Sequence, residues 1–351
     1  MARIISLILT PVLILGALVG FISASNEWPL TNVQSPRKSD HFDGQRFFNR
    51  EPSHNLRDML KWLWEMERVD WPDWIEDPPR QKPPKLVKKG ELRVTYVNHG
   101  TVLIQMDGQN ILTDPIWSRY AGPFPWFSPK RIRSPGVEFE DLPRIDIILI
   151  SHDHYDHLDL PTLKKLTVRD RPWVLAGLGV KRYLKPELFK KVCEMDWWQE
   201  YIHTPSNLKI TFVPALHQSG RSPFKNNRTL WGGFVIEGKS ERVYFAGDTG
   251  FGAFLNDIKN RFQTFRLTIF PIGSYEKRWF MKNQHMNPED AVRAHLLLKS
   301  EQSLGMHYAT FREHPEQTID AHEKDLSNAL EQYGLAPERF WILKFGEGRN
   351  L

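Results

Sequence analysis

Cysteine is almost absent: Cys193 is the single thiol in 351 residues. One thiol allows no disulfide framework within the chain and no zinc site built on paired thiolates. Any metal must therefore rest on nitrogen and oxygen ligands. No concentrated basic patch with interleaved aromatics stands out, which argues against a nucleic-acid surface. The net charge is only +5, with an isoelectric point near 9.1. That surplus suits an anionic substrate or an acidic membrane surface, and is equally common in proteins that bind neither. Gly177-Leu178-Gly179 is too short a glycine pattern for a nucleotide loop, and no internal repeat is visible. Long apolar runs are confined to residues 4–22, which follow Arg3 and precede Ser23-Ala24-Ser25. This stretch reads as a cleaved secretory signal or as an uncleaved membrane anchor. The first makes the chain secreted or periplasmic. The second makes it membrane-associated on the non-cytosolic side.

Hydrophobic residues make up 40% and charged residues 25% of the chain, enough for a substantial core. After a signal or anchor over 1–25, residues 26–90 read as an arm, a helix and a proline-rich linker, and 91–351 as the main domain. The helix is expected over 54–68, where Leu56, Met59, Leu60 and Leu63 recur at helical spacing and Trp62, Trp64 and Met66 widen the apolar face. It either packs on the core or caps a lipid-binding groove. From Glu91 short strands are expected at Leu92–Val97, Val102–Met106, Asn110–Thr113, Ile145–Ile150, Trp173–Leu175, Lys209–Val213, Gly233–Glu237, Arg242–Phe245, Leu267–Phe270 and Trp341–Lys344. Helices are expected at Leu160–Leu166, Val180–Leu184, Pro288–Leu298, with Asn287 as its N-cap, and Asp320–Tyr333. Strands with intervening helices on a two-sheet plan imply an α/β sandwich.

The chemistry is concentrated where the strand Ile145–Ile150 runs into Ser151-His152-Asp153-His154-Tyr155-Asp156-His157. Imidazole and carboxylate suit zinc and its neighbours. His152, His154, Asp156 and His157 cannot all reach one tetrahedral ion from so short a loop without strain, but they can feed two adjacent ions. Three later strands also end in such groups, at His217, at Asp248 within Gly247-Asp248-Thr249-Gly250, and at His307. Singly each is ordinary. Together with the cluster they supply the donors for two ions and one bridging group. Asp114, in a Thr-Asp-Pro turn, suits the orientation of a ligand histidine more than direct ligation.

In order and spacing these motifs resemble the metallo-β-lactamase fold superfamily, which implies a four-layer αβ/βα sandwich with a dinuclear site at one edge. The resemblance assigns His152, His154 and His217 to one metal and Asp156, His157 and His307 to the other, with Asp248 bridging. Asn98-His99-Gly100-Thr101, Leu112-Thr113-Asp114-Pro115, Leu230-Trp231-Gly232, Arg278-Trp279-Phe280-Met281, Gln284-His285 and Met306-His307-Tyr308 narrow it. They are similar to N-acyl-phosphatidylethanolamine-hydrolysing phospholipase D and its bacterial relatives, over roughly residues 91–345. That resemblance implies two zinc ions per chain, a phospholipid substrate met at a membrane surface, and hydrolysis to N-acylethanolamine and phosphatidic acid by an activated hydroxide. Asp156, Asp248 and His285 become the candidate catalytic residues. His285 contacts the phosphate, protonates the leaving oxygen, or merely precedes a helix. Arg221, Lys225 and Arg228 form either a phosphate-binding loop or a solvated one, and Trp126, Phe127 and Trp231 line either an acyl groove or the core. The same metals on a lactone or a soluble phosphodiester, or a non-enzymatic metal-bearing lipid-binding protein, are the alternatives, because a fold does not fix a substrate.

Overall fold

The computed structural model describes residues 38–51, 56–67, 69–78, 82–221, 226–239, 241–312 and 317–351. The apolar segment 4–22 and Lys225 lie outside these. Helix α1 (Leu56–Glu65) precedes strands β1 (Leu92–Asn98), β2 (Thr101–Met106) and β3 (Gln109–Thr113), an antiparallel meander. Asp107 and Gly108 turn β2 into β3 with φ of 51° and 75°, backbone that glycine adopts freely and aspartate tolerates. Strand β4 (Ile147–Ile150), helix α2 (Leu160–Asp170), and strands β5 (Trp173–Gly177) and β6 (Val192–Met195) follow, the strands continuing the sheet in parallel. A second sheet starts with the antiparallel strands β7 (Glu200–His203), β8 (Leu208–Val213), β9 (Gly233–Glu237) and β10 (Arg242–Phe245). It continues through helix α3 (Phe254–Phe262), strand β11 (Phe265–Pro271), helices α4 (Arg278–Met281) and α5 (Pro288–Leu297), strand β12 (Ser300–Met306), helix α6 (Ala321–Tyr333) and strand β13 (Phe340–Trp341). The last strand, β14 (Gly348–Asn350), returns to pair with β1.

Among the described residues the strand orders are β14-β1-β2-β3-β4-β5-β6 and β13-β12-β11-β10-β9-β8-β7. Side-chain alternation places the two sheets face to face. Ile147 and Leu149 of β4 join the core shared with β8–β12, whereas Ile148 and Ile150 face Leu163 and Leu166 of α2. All four β4 side chains are fully buried, which is why the segment is an unbroken apolar run and not an alternating one. Burying each contributes roughly 1.5–3 kcal/mol. On the far side of the second sheet, Ala291 and Val292 of α5 and Leu326 and Leu330 of α6 close the outer layer. Asn287 caps α5, its side-chain oxygen accepting from Asp290 N at 2.9 Å. The architecture is the α/β sandwich that the sequence implies.

Several boundaries differ from expectation. The helical stretch expected at Val180–Leu184 is a 3-10 helix over Val180–Tyr183. The strand expected at Trp341–Lys344 shrinks to Phe340–Trp341, because Leu343 O is taken by the Tyr308 hydroxyl and Lys344 O closes a turn to Glu347 N. Strands β6, β7 and β14, and helix α3, lie where none was expected.

Candidate metal centre

The donor residues sit on one edge, where strands of both sheets end. Beyond Ile150 the β4 chain leaves the sheet as an irregular loop, and buried His152 and His157 flank half-buried His154 and Asp156. His217 follows β8, Asp248 follows β10 through Gly247 at φ 62°, and His307 follows β12 with its own φ at 62°. His154 Nδ1 lies 2.8 Å from His152 Nε2 and 3.3 Å from His217 Nε2. Asp156 Oδ2 lies 3.2 Å from His157 Nε2 and 3.6 Å from His307 Nε2. Asp248 stands between these sets. Its Oδ2 is 3.1 Å from His307 Nε2, 3.3 Å from His157 Nε2 and 3.8 Å from His217 Nε2.

This donor set fits cations. His157 Nε2 and Asp248 Oδ1 are buried and make no hydrogen bond among the described residues. Such groups cost about 1–3 kcal/mol each when left unsatisfied, and a positive ion between them would satisfy both. Burial lowers the pKa of His152 and His154, and that of His217 to about 3, so these rings are neutral and present lone pairs. Burial opposes charge on Asp156 and Asp248, yet His157 and the neighbouring imidazoles outweigh it and hold both well below the ordinary carboxylate range. The converse holds for His157: burial disfavours its charge, but Asp248, Asp156 and Asp114 raise its pKa well above 6.5. A metal ion taking Nε2 would have to displace that proton.

The donors are held from behind. Asp114 Oδ2 accepts from the Ser151 hydroxyl at 2.6 Å and lies 2.7 Å from His157 Nδ1. Gly100 packs closely there: a Cβ would stand 3.1 Å from two atoms of the His157 ring, which would have to give by a few tenths of an ångström. His152 Nδ1 is 2.9 Å from Ser151 Oγ, and His217 Nδ1 is 3.0 Å from the Gln284 carbonyl. Arg221 braces the ligand loop: its guanidinium donates to the Asp153 and Leu158 carbonyls and lies over the Tyr155 ring at 3.8 Å. Sequence reasoning took Arg221 for a phosphate-binding or solvated residue, and the structure gives it this different task. Arg228 is exposed. The N-terminal arm also reaches the site, through an Asn49 side chain that donates to the His217 carbonyl.

A cavity of about 410 Å³ opens beside the donors. Its lining joins the donors His154, Asp156, His217, Asp248, His285 and His307 to the apolar Met59, Trp62, Phe280 and Met281. Helix α1 is therefore a wall of the pocket. Trp62 stacks on Phe280 at 5.2 Å, and Trp279 Nε1 donates to Glu65 Oε2 at 3.2 Å. His285 lines the cavity with Nδ1 3.8 Å from Asp248 Oδ2. Trp231 does not line it: the ring is buried in the core, with Nε1 donating to Ala215 O. Trp126 and Phe127 are exposed on the loop between Ala121 and Pro129, two residues that do reach the cavity. Sequence reasoning gave no chemical role to His99 or Asn49, and placed Met59 on a helix that packs on the core or caps a lipid-binding groove; Met59 lines the cavity. His99 carried a signal in the Asn98-His99-Gly100-Thr101 motif, and Asn49 a weaker one as the end of the arm over 40–49.

A sequence profile for the β-lactamase superfamily domain matches residues 109–308. The chain is 36% identical over 229 residues to a Caenorhabditis elegans protein named N-acyl-phosphatidylethanolamine-hydrolyzing phospholipase D 1, covering 63% of this chain and 64% of that one. It is 32% identical over 247 residues to a mitochondrial protein of the same name from Saccharomyces cerevisiae, covering 69% of this chain and 52% of the other. The chain thus spans less than two thirds of the length of either relative. Among solved structures, a metallo hydrolase from the archaeon Ignicoccus hospitalis superposes with a TM-score of 0.56 at 24% identity, over 74% of this chain and 98% of that one. This last likeness bears on the fold.

Proposed function

The chain belongs to the β-lactamase superfamily, and from that premise we propose that it is a metal-dependent hydrolase. It holds two zinc ions and cleaves N-acyl-phosphatidylethanolamine, as a phospholipase D does, to N-acylethanolamine and phosphatidic acid. The observation that carries this reading is the cavity, whose lining combines imidazoles and carboxylates with Met59, Trp62, Phe280 and Met281. A phosphodiester suits the donor groups and acyl chains suit the apolar ones. Two N-acyl-phosphatidylethanolamine-hydrolyzing relatives above 30% identity support the same substrate.

His152, His154 and His217 would hold one ion and Asp156, His157 and His307 the other, with Asp248 shared. Bound there, the ions supply a water of near-neutral pKa and neutralise charge developing at phosphorus. The remaining tasks fall to the chain. Asp248, with one carboxylate oxygen near four imidazoles, is placed to take up the proton of the nucleophile. His285 stands on the cavity wall where it can hydrogen-bond the phosphate or protonate the leaving alcohol oxygen. The apolar lining excludes water and fixes the lipid's orientation. The proposed partner is a membrane surface, supported by exposed Met59, Leu60 and Trp64 on α1 and by Trp126 and Phe127 on the neighbouring loop. Among the described residues no helix is long and apolar enough to cross a membrane.

The test is incubation of the purified, zinc-loaded protein with vesicles containing N-acyl-phosphatidylethanolamine. Release of N-acylethanolamine and phosphatidic acid, lost in His154→Ala and Asp156→Ala, is the expected result. No lipid product alongside turnover of a lactone or a soluble phosphodiester would transfer the same site to another substrate. Full turnover by a metal-free variant would end the metallohydrolase reading.

A further inference from the structure

His99 lies outside the seven donors assigned to metal, yet its position is held from several sides. It occupies the turn between β1 and β2 at φ 44°. Its backbone N–H donates to Thr310 Oγ1 at 3.0 Å, and its carbonyl accepts from His307 N at 3.0 Å. The ring is buried, with its centroid 3.9 Å from that of His307 and 5.4 Å, edge on, from that of Phe311. From there Nε2 reaches Asp156 Oδ2 at 2.8 Å. His157, His152 and His217 each have a partner behind them, in Asp114, Ser151 and Gln284. Asp156, on the same irregular loop, has His99 in the corresponding place.

We propose that His99 is a positioning residue, whose Nε2–H holds one Asp156 oxygen so that the carboxylate faces His157 and His307 as a formed binding set. The proposal rests on the metal-site reading above. It joins parts of the fold that are distant in sequence: His99 belongs to the first sheet, its anchors Thr310 and His307 follow β12 of the second, and Asp156 is on the β4 loop. Outer-shell partners of this kind typically change metal affinity by about 10–100-fold when removed.

The test uses the full chain with His99→Leu and His99→Gln, measuring zinc per chain by mass spectrometry against a graded chelator and the visible spectrum after cobalt loading. Glutamine carries an N–H at nearly the same reach as Nε2, whereas leucine fills the space without a donor. His99→Leu should weaken one of two metals by about 10–100-fold, leaving the other and the apo-protein Tm near wild type, and His99→Gln should restore most of the loss. Where His99→Leu does not fold, His99→Asn, whose amide falls short of Asp156, replaces it. Wild-type zinc retention in the donor-free variant overturns the proposal, as does equal loss in His99→Gln. A wild-type protein that binds no zinc overturns instead the metal-site reading on which it rests.

Discussion

His157 Nδ1 lies 2.7 Å from Asp114 Oδ2, and neither side chain has any solvent exposure. The contact fixes which imidazole nitrogen faces the donor cluster: Nδ1 is engaged behind the ring, so Nε2 points at Asp156 and Asp248. Asp114→Asn keeps the shape but removes the charge and puts an N–H opposite an N–H in one orientation. Zinc affinity should fall by about 10–100-fold, with hydrolysis falling alongside. Chelator competition at fixed pH measures it, and unchanged affinity would remove Asp114 from the site's support.

Gly247 carries the chain from β10 to Asp248. Its φ is 62°, and a Cβ there would stand 2.6 Å from Ser151 Cβ. Gly247→Ala should therefore cost about 1–3 kcal/mol through backbone strain and the clash, and it should shift Asp248 relative to the β4 loop. Thermal unfolding together with zinc stoichiometry reports both effects. Full stability and full metal content would show that the loop accommodates the methyl group.

The arm should loosen at high pH. His41 lies between Asp40 and Asp196, with one ring nitrogen 2.7 Å from each carboxylate, and stacks on Trp197. Burial disfavours the charged ring, but Asp196 and then Asp40 outweigh it and raise the pKa above 6.5. A raised folded pKa means that the contribution is complete below pH 6.5 and is lost as pH climbs through the folded value. Asp40 is largely exposed, so the effect is modest, roughly 1 kcal/mol. Protease cleavage within residues 38–51 should accelerate as pH rises, and His41→Gln should flatten that profile. A flat wild-type profile would remove the clasp.

The apolar lining predicts a chain-length effect. Trp62→Ala and Phe280→Ala each remove a stacked ring from the cavity. Burial of one aromatic side chain contributes roughly 1.5–3 kcal/mol. KM for long-chain substrates should therefore rise about tenfold or more, with kcat and short-chain turnover little changed. Equal losses at every chain length would place these residues in folding, away from substrate contact.

The strands that sequence reading missed or misjudged are instructive. Strands β6, β7, β13 and β14 are the four outer strands of the two sheets. Glu200 and Ile202 of β7 are exposed while Tyr201 is only half-buried, so no apolar run marks the strand. An edge strand is buried on fewer sides, and its sequence is correspondingly mixed. Central β4, covered on both faces, is legible at once. Arg221 was misjudged for a related reason. Charge and loop position describe a cation that could meet solvent or phosphate, and nothing local shows the two carbonyls and the tyrosine ring that occupy it.

By itself the sequence determined what is local or matched by motif: the buried β4 run, the four donors crowded onto the loop beyond it, the absence of thiol ligands, and a motif order that identifies the superfamily. Only the tertiary structure decided how the donors meet and what stands behind them. Packing of the two sheets brings Asp248 within 3.3 Å of His157, and strand order within the second sheet brings it within 3.1 Å of His307. Strand order within the first sheet sets His99 of the β1–β2 turn against Asp156 of the β4 loop, and helix α1 brings Met59 and Trp62 into the same cavity as the histidines. The physical reason is that strand periodicity says which face a side chain takes, whereas its partner across the gap depends on contacts between segments far apart in the chain.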